Sequence, residues 1–201
     1  RASSIVIFLS TRLDQFALAA MALSESQFVI AYLTLKKFVD FAGNFFVLFF
    51  SKDTYQKTSI YSEKELIKIY SIQFLKFLFY MILISLIIIS ISAITYGLSS
   101  SIIILIIILS TIFNSWGSQK GPAYTRYKLQ KKNLYFLIIA LFLSLPIYFL
   151  IGFNLYSTII SSLITALLVN FILPLIFIKF DKNIFKYSIN LLIKKIYFNN
   201  K

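Results

Sequence analysis

The sequence contains no cysteine and no histidine, and charged residues make up only 13% of its 201 positions. Disulfides, cysteine-based metal sites and mechanisms that use histidine as a general base or proton shuttle are therefore excluded. Soluble domains carry about 25% charged residues, so this chain has too few of them for a conventional solvated surface. The P-loop motif, the H-E-x-x-H zinc motif and a paired-carboxylate loop are also missing. An ATP-driven pump would have to take its motor from another chain, and we expect no enzymatic activity.

Apolar residues fill 59% of the sequence, against roughly 45–50% in soluble domains. They form long continuous runs rather than the alternating segments of about ten residues that transmembrane strands show. The runs predict an all-α, polytopic membrane bundle of about six helices, each near the ~20 residues that cross hydrocarbon. The predicted spans are Ser3–Leu23, Phe28–Phe50, Phe74–Tyr96, Ser100–Trp116, Leu134–Ile151 and Tyr156–Ile178.

The net charge of +13 is concentrated between the predicted spans. Lysine-rich segments (Ser51–Gln73, Gly117–Asn133, Lys179–Lys201) alternate with connections that carry no Lys or Arg (Ser24–Gln27, Gly97–Ser101, Gly152–Ser157). The positive-inside rule then places both termini and the basic segments in the cytoplasm. We therefore expect the positive charge to face anionic membrane lipids, not nucleic acid.

The pattern predicts one transmembrane domain over residues 1–201, with residues 179–201 as a basic amphipathic cytoplasmic tail. Within the first basic loop, Tyr61–Ser71 mixes charged and apolar residues and predicts an interfacial or span-extending helix. The chain begins with Arg1 directly before a span, so we expect an N-terminal part of the protein to be missing.

Charged side chains also lie inside the first two spans. They are Arg12 and Asp14 in the first and Lys36, Lys37 and Asp40 in the second. Each costs roughly 2.5–3.5 kcal/mol near the bilayer centre on insertion scales, so they need protein or water around them. Either they form packing salt bridges between helices, or they line a hydrophilic cavity. We favour the cavity, because an intramembrane ionisable group is a functional-site hypothesis by default.

Other polar positions favour structural roles. Thr158, Ser161, Ser162 and Thr165 form a stripe of small hydroxyl residues on the sixth span, which is typical of close helix packing. Pro146 and Pro174 lie inside predicted spans, where each releases a carbonyl and is expected to kink its helix. Gly117 and Gly121 have G-x-x-x-G spacing, but Pro122 follows them, which favours a helix end over a dimer motif.

The residues Arg12-Leu13-Asp14-Gln15-Phe16-Ala17-Leu18, then Glu25, then Ile30-Ala31-Tyr32 resemble the start of a known transporter lobe. The pattern is similar to the C-terminal lobe of Wzx-type oligosaccharide flippases in the multidrug/oligosaccharidyl-lipid/polysaccharide (MOP) exporter superfamily. A polar span end before a basic loop, Asn114-Ser115-Trp116 to Lys132, is also similar. The glycine that usually precedes the tyrosine of span two is absent.

The resemblance implies a flippase of the bacterial inner membrane with two lobes and alternating access. Its substrate would be an undecaprenyl-diphosphate-linked oligosaccharide repeat unit for surface polysaccharide such as O-antigen, and polysaccharide-assembly proteins are potential partners. The implied cavity is polar and net cationic. Arg12, Lys36 and Lys37 would attract diphosphate, Asp14 and Asp40 would orient these cations or carry a coupling H⁺ or Na⁺, and Gln15, Asn44 and Asn114 would bind sugar. No other cofactor is implied.

Three alternatives stay open at this point. An ion-coupled multidrug or cation antiporter of the same superfamily would use Asp14 for the coupling ion, but cationic substrates fit poorly beside Lys36 and Lys37. A membrane-embedded polymerase or glycosyltransferase would need a large polar outer loop, and the predicted outer connections are short. A non-catalytic membrane scaffold would tolerate alanine at Arg12, Asp14, Lys36 and Asp40.

Overall fold

A computed structural model describes residues 26–96, 98–152 and 155–198 of the chain. These residues form helices and short turns with no strand among them, which confirms the all-α prediction. The helices are α1 (Ser26–Ile60), α2 (Glu63–Tyr96), α3 (Leu98–Gln119), α4 (Gly121–Arg126), α5 (Gln130–Ile151), α6 (Leu155–Leu167), a π-helical segment (Leu168–Ile172), α7 (Leu173–Phe177) and α8 (Lys179–Phe198). The predicted first span, residues 3–23, lies outside the described residues.

Both predicted basic loops are largely helical, so the prediction of loop structure was wrong for residues 51–60 and for most of 117–133. Helix α1 continues past Phe50 to Ile60, and α2 already begins at Glu63, which confirms a span-extending helix for Tyr61–Ser71. Lysine and glutamate are good helix formers, so a helix can continue beyond the apolar run that marks a span. In the second basic loop, only the short turns around Lys120 and 127–129 interrupt the helices.

A capping box sets the start of α2. The Glu65 carboxylate accepts hydrogen bonds from the Ser62 backbone N–H at 2.9 Å and from the Ser62 hydroxyl at 2.7 Å. The Ser-x-x-Glu spacing is a sequence signature of a helix N-terminus, and it separates α2 from α1 with only two residues between them.

Helix α3 occupies the middle of the bundle. It packs against α1, α2 and α6, while α5 packs against α6 and α8 packs against α2. One hydrophobic cluster surrounds Tyr70, Phe74, Trp116 and Phe180. At Gly43, α1 lies so close to α3 that an added Cβ would be 2.4 Å from Ser115 Oγ.

The outer surface of the bundle carries large apolar side chains. On α2, the positions Phe79, Ile82, Leu83, Leu86 and Ile87 follow one helical stripe and are 46–66% exposed. Such a continuous exposed apolar surface is unusual for a soluble monomer. Among the described residues, three helical stretches are long and apolar enough to cross a membrane: Glu63–Ser90, Gln130–Ile151 and Tyr156–Phe177. The described chain is thus compatible with a membrane protein.

The basic segments meet at one end of the bundle. The Arg126 guanidinium donates hydrogen bonds to the backbone carbonyls of Thr58 and Tyr61, which lie at the C-terminal end of α1 and just beyond it. Ser71 Oγ donates to the Ile184 carbonyl at 2.9 Å, which ties α8 to α2. Side chains thereby link residues from all three basic segments, as their alternation with connections that lack Lys and Arg predicts.

Candidate functional site

A cavity of about 540 Å³ lies between α1, α3, α5, α6 and the π-helical segment. Hydroxyl and amide groups dominate the polar part of its wall, and aliphatic side chains fill the rest. The polar lining residues are Ser110, Thr111, Asn114, Ser118, Asn133, Ser144, Tyr148, Thr158, Ser161, Ser162, Thr165 and Asn170. A concave site with several convergent polar groups is the usual form of a small-molecule binding site.

Lys36 and Asp40 add two charges to the cavity wall. They are separated by one turn of α1 and are both half-buried. Thr111 of α3 donates a hydrogen bond from Oγ1 to Asp40 Oδ1 at 2.9 Å, so two helices hold the carboxylate. One cation and one anion cancel, so the described part of the lining is neutral. The net-cationic cavity stays a prediction, because Arg12 and Asp14 lie outside the described residues.

Three of the predicted site residues come together in this cavity. Lys36, Asp40 and Asn114 all line it, although Asn114 lies 74 positions after Asp40 in the sequence. Lys37 and Asn44 are exposed and are not among the lining residues. Arg12, Asp14 and Gln15 lie outside the described residues. The roles of all eight stay predictions.

The hydroxyl stripe of α6 has a packing role and also borders the cavity. Thr158 and Ser161 are buried, and the hydroxyls of Ser162 and Ser110 lie 3.1 Å apart, within hydrogen-bond distance, between α6 and α3. The same stripe lines the cavity. Small hydroxyl residues thus let α6 and α3 approach each other, as predicted.

Sequence reasoning missed the contribution of α5. Ser144 and Tyr148 are almost fully buried and line the cavity. They are one helical turn apart in an otherwise apolar stretch, and this i, i+4 spacing places them on one face. That spacing was the available signal for a polar face on this helix.

Asn170 was also missed. It lies in the π-helical segment, and its Nδ2 donates a hydrogen bond to Asn114 Oδ1 at 3.0 Å. Gly117 makes room for it, because a Cβ there would lie 1.9 Å from Asn170 Oδ1. A π-helical turn often marks a functional site. The available signal was an isolated amide four residues before Pro174 in an apolar span.

A second polar cluster lies at the basic end of the bundle. Lys120, grouped with the loop lysines in the sequence, is only 1% exposed and forms an ion pair with the buried Asp181. Tyr124 donates a hydrogen bond from its hydroxyl to Asp181 Oδ2 at 2.8 Å. Burial lowers the pKa of Lys120, and the Asp181 carboxylate opposes that shift. Burial and the Asp181 charge both raise the pKa of Tyr124, so Tyr124 stays a neutral donor.

Within residues 26–96, 98–152 and 155–198, no three acidic side chains cluster in a way that could hold a metal ion. Comparisons of the chain with protein-family models, curated proteins and solved structures found no match. Functional inference therefore depends on the cavity, on the buried cluster and on the apolar exterior.

Proposed function

We propose that the chain is a transmembrane lobe of a flippase that moves a lipid-linked oligosaccharide across the bacterial inner membrane. The observation that carries this proposal is the cavity of hydroxyl and amide groups, which lies between helices with an apolar exterior. The substrate would be an undecaprenyl-diphosphate-linked repeat unit used for surface polysaccharide.

The chemistry of the cavity suits a sugar head group. Sugar hydroxyls both donate and accept hydrogen bonds, and so do the Ser, Thr, Asn and Tyr side chains of the wall. The volume of about 540 Å³ lies within the 300–1,000 Å³ typical of ligand sites. Lys36 is the lining cation that would attract the diphosphate.

The exterior supports the lipid-linked part of the proposal. The exposed stripe of α2 from Phe79 to Ile87 gives the polyprenyl chain an apolar surface, so the tail can stay in the bilayer while the head group crosses. The positive-inside rule assigns the basic end, with α8, to the cytoplasm. Alternating access would then move the cavity opening from that side to the other.

Asp40 is the residue we assign to ion coupling. Its carboxylate lies beside Lys36 and accepts the hydrogen bond of Thr111. Binding of a proton or Na⁺ at Asp40 would change the balance of charge beside Lys36 and with it the attraction for an anionic head group. The coupling ion is thus expected to compete electrostatically with Lys36 for the same carboxylate.

Complementation tests the proposal. The intact protein is expressed in a host that lacks its own flippase, and surface glycan is measured at equal membrane levels of each variant. We expect the wild type to restore glycan and Lys36→Ala to abolish it, whereas Lys76→Ala, which removes an exposed lysine of α2 away from the cavity, preserves it. Glycan that is never restored, or that survives Lys36→Ala unchanged, would overturn the proposal. Export of cationic dyes without glycan would instead favour a cation antiporter.

A further inference from the structure

The buried cluster around Lys120 joins four separate segments of the chain. The Lys120 ammonium group donates hydrogen bonds to Asp181 Oδ1 at 2.5 Å, to the Asn170 carbonyl at 3.0 Å and to the Tyr124 hydroxyl at 3.2 Å. A lysine ammonium has three N–H donors, and these three acceptors match them in number. The acceptors come from α8, the π-helical segment and α4, while Lys120 itself lies between α3 and α4.

The Asp181 carboxylate is equally well satisfied. One oxygen accepts from Lys120 and the other from Tyr124. A buried ion pair is weak evidence for stability, because the loss of hydration offsets most of the attraction. A network this complete, in which every partner comes from a different segment, is better suited to fixing how those segments are placed.

The Asn170 carbonyl is available to Lys120 for a reason encoded in the sequence. In an α-helix this carbonyl would accept the N–H of residue 174, but residue 174 is proline and has no N–H. The backbone changes to i→i+5 bonding here, as the bond from the Leu173 N–H to the Leu168 carbonyl shows. Lys120 therefore binds the π-helical segment at the carbonyl that Pro174 leaves without its helical donor.

Asn170 also connects this cluster with the cavity. Asn170 accepts Lys120 through its backbone carbonyl and donates to Asn114 through its side chain, so the buried cluster and the cavity wall meet at one residue. Gly117, three positions before Lys120, leaves the space that the Asn170 side chain fills.

We propose that Lys120, held in place by Asp181, is a positioning residue that fixes the π-helical segment and thereby keeps Asn170 at the cavity wall. The tail helix α8, which carries Asp181, is in this way connected to the cavity. The inference uses the cavity of the proposed function but not the identity of its substrate, so its test needs no transport measurement.

The test uses the absence of cysteine, because a thiol introduced into this chain is its only one. Val169→Cys is the reporter, since Val169 is buried, lines the cavity and lies in the π-helical segment. Ser144→Cys is the control reporter, since it is buried at the same cavity but on α5. Labelling rates with a small hydrophilic maleimide are measured in membranes that contain the 201-residue chain.

The decisive variant is the double substitution Lys120→Met with Asp181→Leu. The double substitution leaves no buried charge unpaired, and such replacements of buried ion pairs usually preserve the fold. Lys120→Met alone would leave the buried Asp181 carboxylate without its cationic partner. Thermal unfolding in detergent is expected to show a folded double variant. Lys131→Met, which removes an exposed lysine at the same end of the bundle, is the matched control variant.

In the double variant we expect the thiol of Val169→Cys to react about fivefold faster. The loss of one net hydrogen bond shifts the equilibrium for opening of the π-helical segment by about this factor. Ser144→Cys is expected to react at its wild-type rate, and Lys131→Met to change neither. An unchanged rate at Val169→Cys in a folded double variant would overturn the proposal. So would an equal rise at both reporters, because that result indicates general loosening of the bundle. Failure of glycan complementation would leave this outcome unaffected.

Discussion

Gly117 lies where α3 meets the π-helical segment, and replacing it with alanine tests whether this contact is as close as the structure shows. The added Cβ would lie 1.9 Å from Asn170 Oδ1 and 2.4 Å from its Cγ, far inside the contact distance of about 3.5–4.0 Å between carbon atoms. Asn170 would have to leave its position, and its hydrogen bond to Asn114 would be lost.

The expected change in the free energy of unfolding of Gly117→Ala is the sum of three contributions. Overpacking in a close-packed interior costs about 1–3 kcal/mol, and the lost hydrogen bond adds about 0.5–1.5 kcal/mol. Alanine recovers about 1 kcal/mol, because glycine is a poor helix former. The free energy of unfolding should therefore fall by about 0.5–3.5 kcal/mol, with α3 and the π-helical segment pushed apart.

Thermal unfolding of the purified protein in detergent measures the loss of stability in Gly117→Ala. A second glycine substitution serves as the matched control. Gly121→Ala adds the same methyl group where no atom lies within 4 Å, so its melting temperature should equal or exceed that of the wild type. Asn170→Ala in the Gly117→Ala background removes the two closest atoms and leaves Asn170 Cβ at 3.1 Å. It should therefore recover part of the loss. A Gly117→Ala protein as stable as the wild type, or no recovery on Asn170→Ala, would refute the reasoning.

Three further substitutions test other contacts. Thr111→Val keeps the shape of the side chain but removes the hydrogen bond to Asp40, so the free energy of unfolding should fall by about 1.5–3 kcal/mol in thermal unfolding. Thr111→Ser keeps the hydroxyl and should lose far less stability. Equal losses in the two variants would contradict the hydrogen bond. Glu65→Ala removes the carboxylate that accepts both the Ser62 backbone N–H and the Ser62 hydroxyl. It should weaken the start of α2, measured as faster amide hydrogen exchange in the first turn of α2, and unchanged exchange would count against the capping box. Arg126→Met should lower the melting temperature, because the carbonyls at the end of α1 lose their donor. Lys128→Met, at an exposed position, should leave the melting temperature unchanged. Equal effects of the two substitutions would exclude a specific role for Arg126.

Local sequence patterns predicted several features well. The apolar run Leu134–Ile151 lies within α5, which the structure gives as Gln130–Ile151, because a helix in an apolar environment must satisfy its own backbone hydrogen bonds. The i, i+4 spacing of Lys36 and Asp40 places them on one face of a helix, and both line the cavity. Periodicity fixes which residues of a single helix share a face, so these relations need no knowledge of the other helices.

Helix ends were harder to predict, because apolar content marks contact with hydrocarbon and not the end of a helix. Residues 51–60 were expected to belong to a loop, yet they continue α1 to Ile60, whereas the helix predicted for Tyr61–Ser71 forms the start of α2. Its Ser62-x-x-Glu65 capping box was present in the sequence and would have located the start of α2.

The sequence alone determined that the chain is helical, apolar outside and basic in alternate connections, since these properties depend on composition and on spacing within one segment. Only the tertiary structure decided which faces meet. It turned Lys120 from one of several loop lysines into a buried cation, because Asp181, 61 positions later, and the carbonyl released by Pro174 converge on it. It also brought Asn114 and Asn170 together at the cavity wall. Contacts between residues so far apart depend on how whole helices pack, and no local pattern encodes that packing.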